Sequence, residues 1–519
     1  MVDSPLLVGV DAGTSRVRAL VFTPTGRLQA EGSQPTPTRY PRPGWAEYDP
    51  EALWQAALGA LRQALAQIDD PRRIAGLAVA SVGEAGVALD AHDQPTAPVI
   101  AWFDERARSQ AEWLERSIGK RQLFAISGLH LDSLFGLCKL LWLRDHQADA
   151  YRRTARWLNI ADYLAWRLCG VAATDYSLAS RTLALDIKNL RWSAELLREI
   201  GVDPALFQPL SAGGTRLATV TPATALASGL PEHCVVGVGG HDHIVGALPI
   251  GAWETGVLLD SLGSAEALML ALDQPLFADE FLARGYNQGA MVIDKPRYYA
   301  VGGMATSGAC VEWFRAAIAG GADHEELIQE AEAIPPGSHG VWFLPHLRYG
   351  SPPDSASHTR GAFLGLSPDA KRGALYRAML EGLAFDARRI VDGMQDLATI
   401  PPVHRILAIG GDSRNTLLMR IKTAVFRQPI TVIELGEATS LGAAVLGGLA
   451  AGVYANVATA LASLGVAHRT LQPEAAWVSA YRPRFDFYQR LPPVLTALNA
   501  EAATAASDSG ISATIPEAG

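Results

Sequence analysis

Residues 6–22, LLVGVDAGTSRVRALVF, set two runs rich in Val and Leu on either side of a Gly-Thr-Ser turn. That pattern predicts a strand, a tight loop and a second strand. Residues 257–270, VLLDSLGSAEALML, repeat the plan about half a chain later, with Asp-Ser-Leu-Gly-Ser as the turn. One hairpin occurring twice at that distance predicts two related domains facing each other. Length agrees: 519 residues exceed what one hydrophobic core usually serves. Between the hairpins the patterning predicts helices at 50–68, 105–117, 136–150 and 194–200, and strands at 74–80 and 234–239. LPIGAWETG, 248–256, carries Pro and Gly just before the second hairpin and marks the boundary. The expected division is therefore 1–250, 251–500 and a small, polar tail at 501–519 that is expected to be disordered.

In the second half, residues 360–390 read as a loop leading into a long amphipathic helix. ILAIGGDSRN, 406–415, reads as a strand ending in a glycine pair and opening a helix. Residues 438–467 contain no Asp, Glu, Lys or Arg, a run long enough in principle to span a bilayer. They are rich in Gly, Thr and Ser and break near Gly452, so a buried helix followed by a second short helix is expected. The start of the chain has neither a basic segment nor a long apolar one, so no signal peptide is expected, and the chain reads as soluble and cytoplasmic with no membrane partner. A formal charge of -9 excludes nucleic acid as the main partner, which would require a basic surface. Cys138, Cys169, Cys234 and Cys310 are too widely spaced for a zinc knuckle or a disulfide framework.

Phosphate loops of the GxxxxGK[ST] type, GxGxxG fingerprints, HExxH and GxSxG are all missing. The hairpin turns are what can cradle phosphate. Gly13, Thr14 and Ser15 offer N–H groups and hydroxyls at the first, and Gly263 and Ser264 at the second. Gly410–Asn415 lets a base or phosphate approach the backbone at a strand-to-helix junction. GGHDHIVGAL, 239–248, leaves three options: a metal site, a structural turn, or a carboxylate held for proton transfer. Alternation along a strand would turn His241 and His243 to one face, opposite Asp242, which favours separate roles over a three-ligand cluster.

DAGTSRVR, GGHD, LGS and GGDSRN…EATSLGAAVLGGLAAG, in that order, resemble the FGGY carbohydrate-kinase family over residues 6–452. PGWAEYDPEALW at 43–54, WFDERA at 102–107, ADYLAWRLCG at 161–170 and TDYSLASRT at 174–182 reinforce the likeness. The resemblance implies the actin-like ATPase superfold: two ribonuclease-H-like α/β domains, each a mixed sheet flanked by helices, with a cleft between them. It implies ATP and Mg²⁺ as cofactors and phosphorylation of a hydroxyl of a pentulose, hexulose or polyol, giving a sugar phosphate and ADP. Asp242 matches the catalytic base and Asp11 the acidic residue that orients Mg²⁺. Thr14, Ser15, Arg16 and Arg18 match the first phosphate loop and Ser264 the second. Gly308 matches a glycine near the nucleotide, and Gly411 and Asn415 match adenosine and phosphate contacts. Glu84 matches the hydroxyl-binding Glu of the glycerol-kinase branch. Val82-Gly83 stands where that branch has Gln-Arg, however, and Leu134 where it has Tyr. His243 stands where the family has Asn or Gln, and could bond a sugar hydroxyl or tune Asp242. Asp104 and Arg106 could touch sugar or simply pair at the opening of a helix. Two other functions compete: an ATP-switched scaffold or chaperone of the same superfold, and a metal-dependent hydrolase using His241 and His243. The sugar, the hydroxyl modified and the oligomeric state, with a homodimer among the options, stay open.

Overall fold

The computed structural model describes residues 4–354, 359–397 and 400–508. The first hairpin forms as the patterning predicts: strands β1 (Leu6–Ala12) and β2 (Arg16–Phe22) pair antiparallel. They belong to a six-stranded sheet with β3 (Leu28–Pro35), β4 (Ile74–Ser81), β5 (Arg216–Thr219) and β6 (Val235–His241), in the order β5-β6-β4-β1-β2-β3. Three antiparallel strands are followed by two parallel partners, β4 and β6, and then by the antiparallel edge β5.

The second hairpin, β7 (Val257–Leu262) and β8 (Glu266–Leu272), opens a seven-stranded sheet of the same plan. Its other strands are β9 (Asn287–Val292), β10 (Pro296–Met304), β11 (Arg405–Ile409), β12 (Ile430–Ile433) and β13 (His468–Leu471). The order is β9-β10-β8-β7-β11-β12-β13, again with antiparallel strands, two parallel partners and an antiparallel edge. The repeated hairpin predicts this twofold architecture, and the mixed sheets flanked by helices with a cleft between them are those the family resemblance implies. The 248–256 segment lies between the last strand of the first sheet and the first strand of the second.

Helix Pro50–Leu65 starts where Asp49 caps it, accepting the Ala52 N–H, and buries its Leu and Ala face against the first sheet. The opposite face of that sheet is covered from far along the chain. Helix Ala438–Ala450, the uncharged stretch, packs on Leu7, Ala78 and Ala80, and a second short helix, Val457–Ser463, follows it. Contact is backbone to backbone: a Cβ on Gly9 would run into the Ser440 carbonyl, and one on Gly447 would lie 2.6 Å from the Leu77 carbonyl carbon. Among the described residues no helix is long and apolar enough to cross a membrane.

Three expectations differ from the observed elements. The helix expected at 136–150 breaks at Gln147 into Gly136–His146 and Ala148–Arg153, because Gln147 leaves helical geometry. The helix expected from 105 begins at Arg108, because Asp104 and Arg106 are engaged in a buried ion pair. Helix Leu491–Asp508 occupies the start of the expected disordered tail, and residues 509–519 lie outside the described residues.

Candidate active site

Strands β1, β4 and β6 run parallel in register, with Ala12 opposite Ser81 and Ser81 opposite His241. The turns that leave their carboxyl ends therefore converge: Gly13–Thr14, Val82–Glu84 and Asp242–His243. Ligands of open α/β sheets bind at such ends. Facing them is one side of the second sheet, where Leu259, Ser261, Ala267, Met269, Tyr299 and Val301 occupy alternate positions. The cleft between the two walls has a volume of about 420 Å³ and is mostly apolar, with a few polar groups converging on it.

The glycine pair before His241 now has a structural reason. Register slips between Gly237 and Gly240, and a Cβ on Gly239 would collide with the Val79 backbone. This irregularity brings the chain to the cleft as the strand ends. It also corrects the expected strand alternation at His241–Asp242–His243. The strand stops at His241, Asp242 begins helix Asp242–Ala247, and the two imidazoles stack with centroids 5.7 Å apart. Asp242 is not on an opposite face: its Oδ1 accepts the His243 N–H at 2.6 Å and lies 3.3 Å from Nε2 of His241. Burial raises the Asp242 carboxyl above the ordinary range, while the charge of His243 opposes the shift. Burial holds His241 well below its usual value, so its ring is neutral.

Asp11, on β1, is pushed up to about 8, first by burial and then by the Asp242 carboxylate. Its Oδ1 is buried with no hydrogen-bond partner in the protein. Thr14 lines the cleft and its Oγ1 accepts from Nε1 of Trp102 at 2.9 Å. Ser15 is exposed at the tip of the hairpin. Arg16 and Arg18 lie in a separate depression bordered by β2, β3 and Glu437. Arg16 Nε donates to Ser33 Oγ at 2.7 Å, and Arg18 donates to both Glu437 oxygens at 2.6 and 2.7 Å.

Glu84 sits at the end of β4 with φ 57°, the left-handed region, and its side chain accepts from Nε of Arg181. The strained turn is held from behind. Lys139, wholly buried, donates to the carbonyl oxygens of Glu84 at 2.9 Å, Ala101 at 2.7 Å and Trp102 at 3.1 Å. Burial lowers its ammonium to about 7. One lysine thus fastens the Glu84 turn to the Trp102 loop, and Trp102 reaches on to Thr14. His243 lines the cleft and is exposed.

The remaining expected positions gather at the ends of β7, β8 and β11. The Gly308 N–H donates to the Gly263 carbonyl, and those of Ser307 and Ala309 donate to the Ser264 carbonyl. Gly308 opens helix Gly308–Ala317 beside the Asp412 carboxylate. Gly411 faces open space, and Asn415 caps helix Thr416–Phe426 by accepting the Leu418 N–H at 3.0 Å. A buried cluster ties these pieces together. Lys422 Nζ donates to Asp260 at 2.5 Å and Glu266 at 2.6 Å, and Ser307 Oγ donates to Glu266 at 2.9 Å.

Arg106 binds Asp104 through two nitrogens and Glu47 through a third, with its guanidinium 3.8 Å over the Trp45 ring. Of the two readings of Asp104 and Arg106, the helix-opening pair holds. Arg181, Lys139, Trp102 and Tyr299 are functional candidates that patterning did not single out. Arg181 and Trp102 do stand within quoted motifs, TDYSLASRT and WFDERA. Nothing local links Arg181 to Glu84, however, 97 positions away.

The description "FGGY family of carbohydrate kinases, N-terminal domain" matches residues 6–249, and its C-terminal counterpart matches residues 258–451. A xylulose kinase of Bacillus subtilis (strain 168) is 26% identical over 487 residues, 93% of this chain and 96% of that protein. A glycerol kinase of Polaromonas naphthalenivorans (strain CJ2) is 30% identical over 490 residues, 90% of this chain and 95% of that protein. Among solved structures, the xylulose kinase from Rhodospirillum rubrum superposes with a TM-score of 0.88 at 25% identity, covering 95% of this chain and 99% of that one. Neither an ATP-switched scaffold nor a His241/His243 hydrolase accounts for matches spanning both halves. The chain belongs to the FGGY family of carbohydrate kinases, and it is a carbohydrate kinase.

Proposed function

We propose that the protein transfers the γ-phosphoryl group of ATP to a hydroxyl of a small sugar or polyol, a pentulose, hexulose or alditol. The observation that carries this reading is Asp242: a half-buried carboxylate at a strand-to-helix turn, anchored through Oδ1 and lining the cleft opposite the second sheet. Oδ2 is left to take the proton from the attacking hydroxyl as its oxygen bonds to phosphorus and ADP departs. A raised pKa suits a base that must accept a proton near neutrality. His241 beside it, held well below its usual value by burial, is a poor competitor for that proton.

Residues 1–250 are the acceptor side and carry the base; residues 251–500 are the nucleotide side, apart from helix Ala438–Ala450 on the first sheet. Thr14 and Ser15 from the first hairpin and Ser264 from the second grip phosphate oxygens. Gly308, Gly411 and Asn415 border the adenosine. Arg18 would reach phosphate only by releasing Glu437, and Arg16 only by releasing Ser33. Glu84 and His243 bind acceptor hydroxyls. Asp11 suits Mg²⁺: its orphaned oxygen and its repulsion by Asp242 both favour a hard cation. No three His, Cys, Asp or Glu side chains cluster for a metal among the described residues. Mg²⁺ needs only one or two carboxylates besides phosphate and water. When bound, the ion neutralises charge on the β- and γ-phosphates.

A coupled assay for ADP release across pentuloses, hexuloses and alditols tests the reading. ADP should appear in step with sugar phosphate for at least one of them. ATP turnover indifferent to all of them would overturn it.

A further inference from the structure

Gly83 leaves a space that two neighbours fill. A Cβ there would lie 3.0 Å from Cδ2 and 3.1 Å from Nε2 of His241, and 3.2 Å from Cγ of Arg181. The space is taken by His241 and Arg181, which arrive from two other elements. Arg181 is largely buried and is already paired with Glu84, so the two charges cancel. The other ionisable groups at this wall are Asp242, His243 and, deeper, Asp11. Lys139 lies behind it with its ammonium committed to three carbonyls.

A carboxylate entering here would meet Glu84 and Asp242 and find no free buried cation. His243 beside them is exposed, so its charge would be screened and the lost hydration little compensated. Neutral hydrogen-bonding capacity, by contrast, is unspent. Nδ1 of His241 and the hydroxyl of Tyr299 are both buried without a partner in the protein, and both residues line the cleft. They come from opposite walls, His241 from the end of β6 and Tyr299 from β10. If Nε2 carries the ring proton towards Asp242, Nδ1 is an acceptor for a substrate O–H.

We propose that the acceptor site is built for an uncharged polyhydroxylated substrate, with His241 and Tyr299 as hydroxyl-binding residues and the Arg181–Glu84 pair shutting out sugar acids. This rests on the kinase reading above.

The experiment compares kcat/KM for neutral ketoses and alditols with aldonates of the same carbon number. The best neutral acceptor should exceed every aldonate by about a hundredfold or more. Tyr299→Phe removes only the hydroxyl and should raise the acceptor KM about tenfold, with the KM for ATP unchanged. Gly83→Ala should displace His241 and Arg181 and raise it at least as much; Tyr299→Phe serves should that variant not fold. An aldonate used as well as the best neutral acceptor, or an unchanged acceptor KM in Tyr299→Phe, overturns the inference and leaves the kinase reading standing. No ADP release with either class overturns both.

Discussion

Nε2 of His241 lies 3.3 Å from Oδ1 of Asp242, the same oxygen that accepts the His243 N–H. One carboxylate oxygen is thus committed to holding the side chain, which leaves Oδ2 for the proton transfer proposed above. Asp242→Asn keeps the shape and removes the basicity. Sugar-dependent kcat should fall by at least about a hundredfold while the KM for ATP barely moves. Retention of more than about a tenth of wild-type kcat would show that proton removal at this residue is not limiting.

Asp11→Ala removes the carboxylate with the orphaned oxygen. The Mg²⁺ concentration for half-maximal activity should rise by about tenfold or more, because the ion loses its anchor on the protein side. Titrations of activity against Mg²⁺ at saturating ATP check this. Superimposable curves for variant and wild type would remove Asp11 from the metal site.

Lys139 is a positioning residue for the acceptor side. Lys139→Met leaves three carbonyls without their donor and should loosen the Glu84 turn, raising the acceptor KM more than the KM for ATP. Its titration adds a signature that lost packing would not produce. The folded value, about 7, lies below the unfolded one. Between the two the unfolded chain binds more protons than the folded one, so this group makes stability rise with pH. The slope from one such group is at most about 1.4 kcal/mol per pH unit. Urea unfolding of wild type and Lys139→Met at pH 7, 8 and 9 should therefore show a gap that widens with pH.

Helix Ala438–Ala450 reaches the first sheet only because its contact positions lack side chains. Gly447→Ala should cost about 1–3 kcal/mol through overpacking against Leu77. Gly436, with nothing within 4 Å of its Cβ position, is the matched control and should tolerate alanine. Shifts in the urea midpoint at constant slope measure both.

Much of this architecture was legible from the chain because its causes are local. Strand alternation and turn residues mark the hairpins within 17 and 14 residues of sequence, 6–22 and 257–270, and their recurrence marks the doubling of the fold. The family resemblance singles out Asp242, Asp11 and Glu84; Asp242 and Glu84 follow strand ends and line the cleft, while Asp11 is buried on β1. Local reasoning failed where the chain changes state. His241 to His243 read as strand alternation, yet the turn into a helix brings His241 onto Asp242. It was silent where partners are distant. The uncharged face of residues 438–450 says that the helix is buried, but not that it belongs to a sheet whose first four strands lie more than 350 residues earlier. Arg18 meets Glu437 across 419 positions, and Arg181 meets Glu84 across 97. Periodicity and turn chemistry act over a few bonds, so sequence determined the elements and their repetition. Which charges pair, and which polar atoms are left for a substrate, depends on how two sheets and one migrating helix close on each other, and only the tertiary structure decided that.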